Sequence, residues 1–221
     1  MTKEGVDKKR YDRIAAIYDS LENPMELLSY SRWRKEVFEW VPKRGKILEV
    51  GVGTGKNLPY YHKKHEVFAA DISENMLKRA KIKAETSEAS IHLVQMDAES
   101  LGFPNGFFDA AISTYVFCSV ENPMRGLEEI RRVLKPDGIA IFLEHMRSEN
   151  EFMGKAMDFV NPLVANAFGP NINRRTVKNI RNASFGVLQE KHLLSSIFRI
   201  IVAKPEVPQS KSSCACNPTI A

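Results

Sequence analysis

Three glycines, Gly51, Gly53 and Gly55, follow the apolar run Ile47-Leu48-Glu49-Val50. A glycine loop leaving a buried strand brings backbone close to a ligand where a Cβ would collide. Glu49 immediately precedes the loop, and Asp71 comes 20 residues after Gly51, where a carboxylate can accept both hydroxyl protons of a ribose. Asp97 ends a third apolar run, placed to take a hydrogen bond from an adenine amino group. Val52 and Asn57 around the loop, Ile72 and Met76 after Asp71, and Ala98 after Asp97 complete the expected cofactor set. The spacing Gly51-x-Gly53-x-Gly55 is not the G-x-G-x-x-G of dinucleotide folds, whose helix N-terminus carries a pyrophosphate. A cofactor with an ammonium group and no phosphate, as in S-adenosylmethionine (SAM), suits Glu49 better. That spacing disfavours an NAD-dependent dehydrogenase, which is kept as a rival reading.

A second group of residues could act on an acceptor. His145 follows the fifth apolar run, and a neutral imidazole there can take a proton at neutral pH; a structural histidine is the alternative. Its neighbour Glu144 should point to the opposite face of the strand, so only one of the two is expected in the site. Tyr115, Val116 and Phe117 follow the fourth run and are expected to line the methyl-donor pocket, with Tyr115 touching cofactor and Phe117 touching substrate; ordinary core is the alternative for each. Arg174 could meet a carboxylate or phosphate of the acceptor; with Arg175 it could equally form a solvated face. Tyr18 shares a helical face with Tyr11, which more often means packing than ligand contact.

The elements that must hold these residues alternate. Short apolar runs at residues 46–50, 66–70, 91–96, 108–114 and 139–144 alternate with a glycine turn at 51–55 and helical segments at 74–83 and 124–134. That order predicts an α/β fold with a Rossmann-like, mostly parallel sheet and helices on both faces, because each parallel connection must cross the sheet. The closely spaced runs 186–192 and 197–203 predict an antiparallel hairpin. Residues 1–45 read as a helical cap and 46–204 as the main domain, with 151–184 an insertion over the site broken by Asn161-Pro162 and Gly169-Pro170. Residues 205–221 read as a disordered tail.

Composition narrows the classes further. In 221 residues only three cysteines occur, Cys118, Cys214 and Cys216, too few for a disulfide framework or, in the tail pair, a metal site. The charged start and the lack of a long apolar span predict a cytoplasmic protein. The net charge of +5 is spread along the chain, so no nucleic acid is expected, whereas peripheral contact with an anionic lipid surface is compatible.

Over about residues 11–204 the chain resembles the class I SAM-dependent methyltransferases. The resemblance rests on Ile47 to Gly55, on Ala70-Asp71-Ile72-Ser73-Glu74-Asn75-Met76-Leu77 and on Asp97-Ala98-Glu99-Ser100-Leu101-Gly102-Phe103-Pro104. Phe107-Phe108-Asp109 and Arg131 to Gly138 add to it. It implies seven strands with the last pair reversed, SAM as cofactor and a small-molecule acceptor. Within the family, Tyr11 to Asp19 looks like the leader of quinone-biosynthesis and bacterial phospholipid methyltransferases. The resemblance implies that this leader closes over the cofactor and puts Tyr18 against it. Cys118-Ser119-Val120, Leu143-Glu144-His145 and the run Gly169 to Phe185 are similar to membrane-associated methyltransferase-like proteins of animals that methylate small thiols; their N-terminal anchor has no counterpart in this sequence. The expected acceptor is a small hydrophobic thiol, with a phosphatidylethanolamine amine or a quinone ring as the alternative. A SAM-binding regulator without catalysis is the reading from a different class.

Overall fold

A computed structural model describes residues 29–168, 170–194 and 196–206, leaving out the side chains of 166–168. Tyr11, Tyr18 and most of the expected cap lie outside the described residues, as do Cys214, Cys216 and the tail beyond Glu206.

Seven strands form one sheet: β1 (Gly45–Val50), β2 (His65–Asp71), β3 (Ser90–Gln95), β4 (Phe108–Thr114), β5 (Leu134–His145), β6 (Phe185–Leu194) and β7 (Phe198–Pro205). Their spatial order is β3-β2-β1-β4-β5-β7-β6. The first five pair in parallel, and β7 runs antiparallel to both β5 and β6. The chain winds outward from β1 to β3, then crosses back to β4. The strand order therefore reverses between β1 and β4, where the carboxyl ends of an open α/β sheet leave a crevice.

Two apolar layers cover the sheet. On one face Leu48, Phe108, Phe142 and Ile201 meet Leu127, Ile130 and Val133 of α3 (Pro123–Val133) and Ile180 of α5 (Thr176–Asn182). On the other, Ile47, Val67, Ile112 and Leu143 meet Trp33 and Val37 of α1 (Ser31–Phe38) and Leu77 and Ala80 of α2 (Glu74–Glu85). The helix starts are encoded locally: the Ser73 side chain accepts the Met76 N–H ahead of α2, and Asn122 accepts the Arg125 N–H ahead of α3. Pro123 opens α3, where its missing N–H costs nothing.

Three details differ from the expectation. The glycine loop leads into a single 3-10 turn, Leu58–Tyr60, rather than an α-helix; Pro59 sits at its start and the chain turns extended at Tyr61. β5 begins at Leu134, ahead of the Lys135-Pro136-Asp137-Gly138 cluster expected to precede it. Phe108 faces Leu134 while Ala110 faces Ile139, so these four residues are accommodated as a bulge. Pro162 does not divide the insertion's first helix, α4 (Glu151–Phe168). The preceding Asn161 accepts the Ile172 N–H at 2.8 Å and donates to Asn171 Oδ1, which fastens the helix where the proline would weaken it.

Phe142 on central β5 is 1% exposed and packs edge-on against Phe117 and Phe185. Phe142→Ala should lower unfolding free energy by about 3–5 kcal/mol, the range for a large aromatic cavity, as read by urea denaturation.

Candidate active site

The crevice at the β1/β4 reversal is the cleft of interest. It is lined from β1 and its loop by Val50, Gly51 and Gly53, and from β2 and α2 by Ala70, Asp71, Ile72 and Met76. Met96, Asp97, Ala98 and Glu99 close it beyond β3, and Thr114, Tyr115, Val116, Ser119, Val120 and Glu121 close it beyond β4. Eight of the expected cofactor residues are thus brought together: Gly51, Gly53, Asp71, Ile72, Met76, Asp97, Ala98 and Tyr115.

The glycine loop explains its own composition. Gly51 has φ +70°, and a Cβ there would lie 2.3 Å from Val116 Cγ2, so loop and opposite wall touch only because no side chain intervenes. Gly53 has φ +54° and its Cβ would meet nothing within 4 Å, leaving open space on the cleft side. Asp71 Oδ2 accepts the Gly53 N–H at 2.8 Å and Oδ1 accepts the Ser73 N–H at 2.9 Å. These bonds aim the carboxylate before any ligand arrives. Asp97 Oδ1 likewise accepts the Glu99 N–H at 2.8 Å.

Four expected cofactor residues lie behind the cleft rather than in it. Val52 is buried in the core. Gly55, φ +80°, allows close packing against Ala80 of α2. Glu49 is 1% exposed beneath the loop, and Asn57 Nδ2 donates to its Oε1 at 2.9 Å. Asn57 in turn accepts from Arg34 Nη1 at 2.8 Å, and the same guanidinium nitrogen donates to Thr114 Oγ1. Burial pushes the Glu49 carboxyl up to about 7. Tyr61 lies beside it, yet the Tyr61 hydroxyl and Glu49 Oε2 each lack a well-formed hydrogen bond among the described residues. A buried carboxyl under the glycine loop, held by Asn57 and with Tyr61 beside it, suits a cationic group, and the ammonium of SAM fits that requirement.

The acceptor-side expectations fare differently. Val116 lines the cleft, but Phe117 does not: it is 1% exposed and its ring sits in the core against Phe142. His145 is half-buried outside the cleft lining, edge-on to Phe198 at 5.0 Å, on the sheet face that carries Tyr30 and Trp33; burial lowers its pKa. Arg174 donates from Nη2 to the Val120 carbonyl at 2.8 Å, bracing the cleft wall from behind. Arg174 and Arg175 line a second hollow with Arg147, Glu149, Lys178 and Arg199. There Glu149 also comes near Glu190 and His192, with Arg199 paired to both acids.

Glu144 lies on the opposite strand face from His145, as expected, but neither residue lines the cleft, and Glu144 has a role that the sequence did not suggest. It is fully buried; Oε1 accepts from Ser113 Oγ at 3.0 Å and the Val116 N–H at 3.1 Å, and Oε2 accepts the Phe117 N–H at 3.2 Å. It anchors the strand-to-wall turn, in which Tyr115 takes φ +61°. Ser119, Val120, Glu121, Met96 and Glu99 were not expected as site residues. The available signal was position: each ends or follows a predicted parallel strand at its carboxyl end.

A methyltransferase domain model matches residues 48–142. The ubiquinone/menaquinone biosynthesis C-methyltransferase UbiE of Shewanella sp. (strain ANA-3) is 30% identical over 172 residues, 74% of this chain and 68% of that protein. The chain belongs to the SAM-dependent methyltransferase family. SAM is accordingly its methyl donor. Phosphatidylethanolamine N-methyltransferase of Cereibacter sphaeroides is 39% identical over 103 residues, which span 46% of this chain and only 51% of that relative. Among solved structures, a SAM-dependent methyltransferase from Thermotoga maritima covers 90% of this chain and 99% of its own at TM-score 0.69 and 21% identity. The cyclase SpnF shares the fold too, at TM-score 0.66 and 19% identity over 80% of each chain, so the fold alone does not fix the reaction.

Two outcomes test the donor side of this methyltransferase. Below about pH 7 Glu49 holds a proton in the ligand-free protein, whereas an ammonium favours the carboxylate; SAM affinity should therefore fall as pH drops through that value, by up to about tenfold per pH unit. In calorimetry Glu49→Gln should weaken SAM by roughly tenfold or more and flatten this dependence. Separately, Glu144→Leu removes the acceptor of three hydrogen bonds and should destabilise the protein by about 2–4 kcal/mol in urea denaturation.

Proposed function

We propose that this methyltransferase transfers the SAM methyl group to the amine of a phospholipid. The observation that carries the reading is the charge of the cleft. Asp71, Asp97, Glu99 and Glu121 line it, and among the described residues no Lys, Arg or His does. A carboxylate-lined wall attracts an ammonium headgroup and disfavours an anionic nucleophile. That argues against the small thiol expected from the sequence, because a thiol reacts as its thiolate and would need a cationic neighbour or a base. The similarity to phosphatidylethanolamine N-methyltransferase points the same way.

When bound, SAM supplies a methyl group on a positively charged sulfur. The protein's part is to hold the donor, exclude competing orientations and present an amine that has lost its proton. Asp71 and Asp97 face the donor side. Exposed Glu121 and half-buried Glu99, whose carboxyl is pushed up mainly by burial, stand where an arriving ammonium would be met and its proton accepted. Val116, Val120 and Tyr115 give the same wall an apolar surface for the lipid side. Methylation of a quinone ring is the second reading, favoured by the longer match to UbiE; it requires a phenol to be deprotonated in the same acidic surroundings.

Methyl-labelled SAM incubated with phosphatidylethanolamine vesicles, a demethylated quinol and alkyl thiols should place label in phosphatidylethanolamine. The paired change Glu99→Gln and Glu121→Gln should raise KM for that lipid about tenfold with little effect on SAM affinity. Label in the thiol or quinol alone would overturn the assignment.

A further inference from the structure

α4 turns its apolar side outward. At 100° per residue, Phe152, Ala156, Phe159 and Leu163 fall on one stripe, flanked by Met153 and Val160. Phe152 is 85% exposed, Phe159 87% and Leu163 73%. The inward side is made instead by buried Gly154 and Met157 and by Asn161, with Arg147 lying so close to Gly154 that a Cβ would fall 2.4 Å from its Nη1. A helix that, of its described residues, buries only Gly154 and Met157 while its large aromatic and aliphatic side chains face out leaves an apolar stripe that its own domain does not cover.

The charge around it identifies the occupant. Residues 151–184 hold five Lys and Arg against two acids, and no acid occurs from Phe159 to Gln189. Arg175 and Lys178, both exposed, border the hollow that opens at the N-terminal end of α4. An apolar stripe about 16 Å long accompanied by excess positive charge matches an anionic bilayer, where the side chains enter the acyl boundary and the cations meet headgroup phosphates. A second copy of the chain would bring two such positive segments together. No helix among the described residues is long and apolar enough to cross a membrane.

We propose that α4 docks this protein onto an anionic phospholipid surface through Phe152, Phe159 and Leu163. The same insertion is bolted to the cleft. The Asn171 N–H donates to the Cys118 carbonyl at 2.7 Å, and Arg174 holds Val120, so a docked α4 keeps the acceptor wall next to the lipid. Docking goes beyond the acceptor assignment and does not depend on it.

Flotation of the full chain with vesicles of phosphatidylcholine alone, or of phosphatidylcholine with phosphatidylserine, tests this independently of methyl transfer. The protein should float with the serine-lipid vesicles and be partly released by salt. Phe159→Ser with Leu163→Ser should reduce partitioning about tenfold or more while leaving SAM affinity unchanged, which shows that the fold is intact. Arg175→Glu with Lys178→Glu should abolish the preference for serine lipid. The proposal fails if the parent floats with neither vesicle, or if the serine variant floats like the parent. It also fails if sedimentation shows that the stripe joins two copies and its loss leaves vesicle binding untouched.

Discussion

The cleft depends on one buried carboxylate. Glu144 leaves β5 beneath the wall that follows β4 and accepts hydrogens from Ser113, Val116 and Phe117. Those backbone N–H groups sit where the chain has left the sheet ladder and Tyr115 has turned left-handed, so no strand or helix could satisfy them. Burial pushes the carboxyl up to about 7, a cost the fold carries because losing the acceptor would orphan several donors at once. Through Val116 the constraint reaches the glycine loop: the wall stands against Gly51 at a separation that only glycine permits.

A second buried carboxylate, Glu49, lies on the other side of the sheet reversal. Its network through Asn57, Arg34 and Thr114 links α1, the loop after β1 and the end of β4. Donor binding and the packing of the first described helix are therefore physically connected. The two acids divide the labour. Glu144 is satisfied by the Ser113 hydroxyl and two backbone N–H donors and shapes the wall, whereas Glu49 lies beside Tyr61 beneath the glycine loop, under the place where the donor's ammonium is expected.

The acceptor side is organised more loosely. Its polar groups come from loop ends, and its link to the insertion runs through backbone carbonyls of Cys118 and Val120 rather than through a packed core. Such a wall can change its acceptor without disturbing the sheet, consistent with phospholipid and quinone methyltransferases both appearing among the relatives.

The sequence by itself determined the strand and helix order, the reversed last pair, and the acids Asp71 and Asp97 in the cleft. These follow from local rules: apolar runs of strand length, capping residues at Ser73 and Asn122, and motif spacing along one chain. Only the tertiary structure decided which neighbours of those residues face the ligand. Gly53 and Gly55 look alike in sequence, yet one opens on the cleft and the other packs on Ala80. Val116 and Phe117 are adjacent, yet one lines the wall and the other enters the core. His145, read as the base, lies against Phe198, a strand contact that no spacing within its own segment could reveal. The outward turn of α4 is of the same kind. The segment's own residues do not say which side meets the protein; Gly154, Met157 and Asn161 decided that by what they pack against.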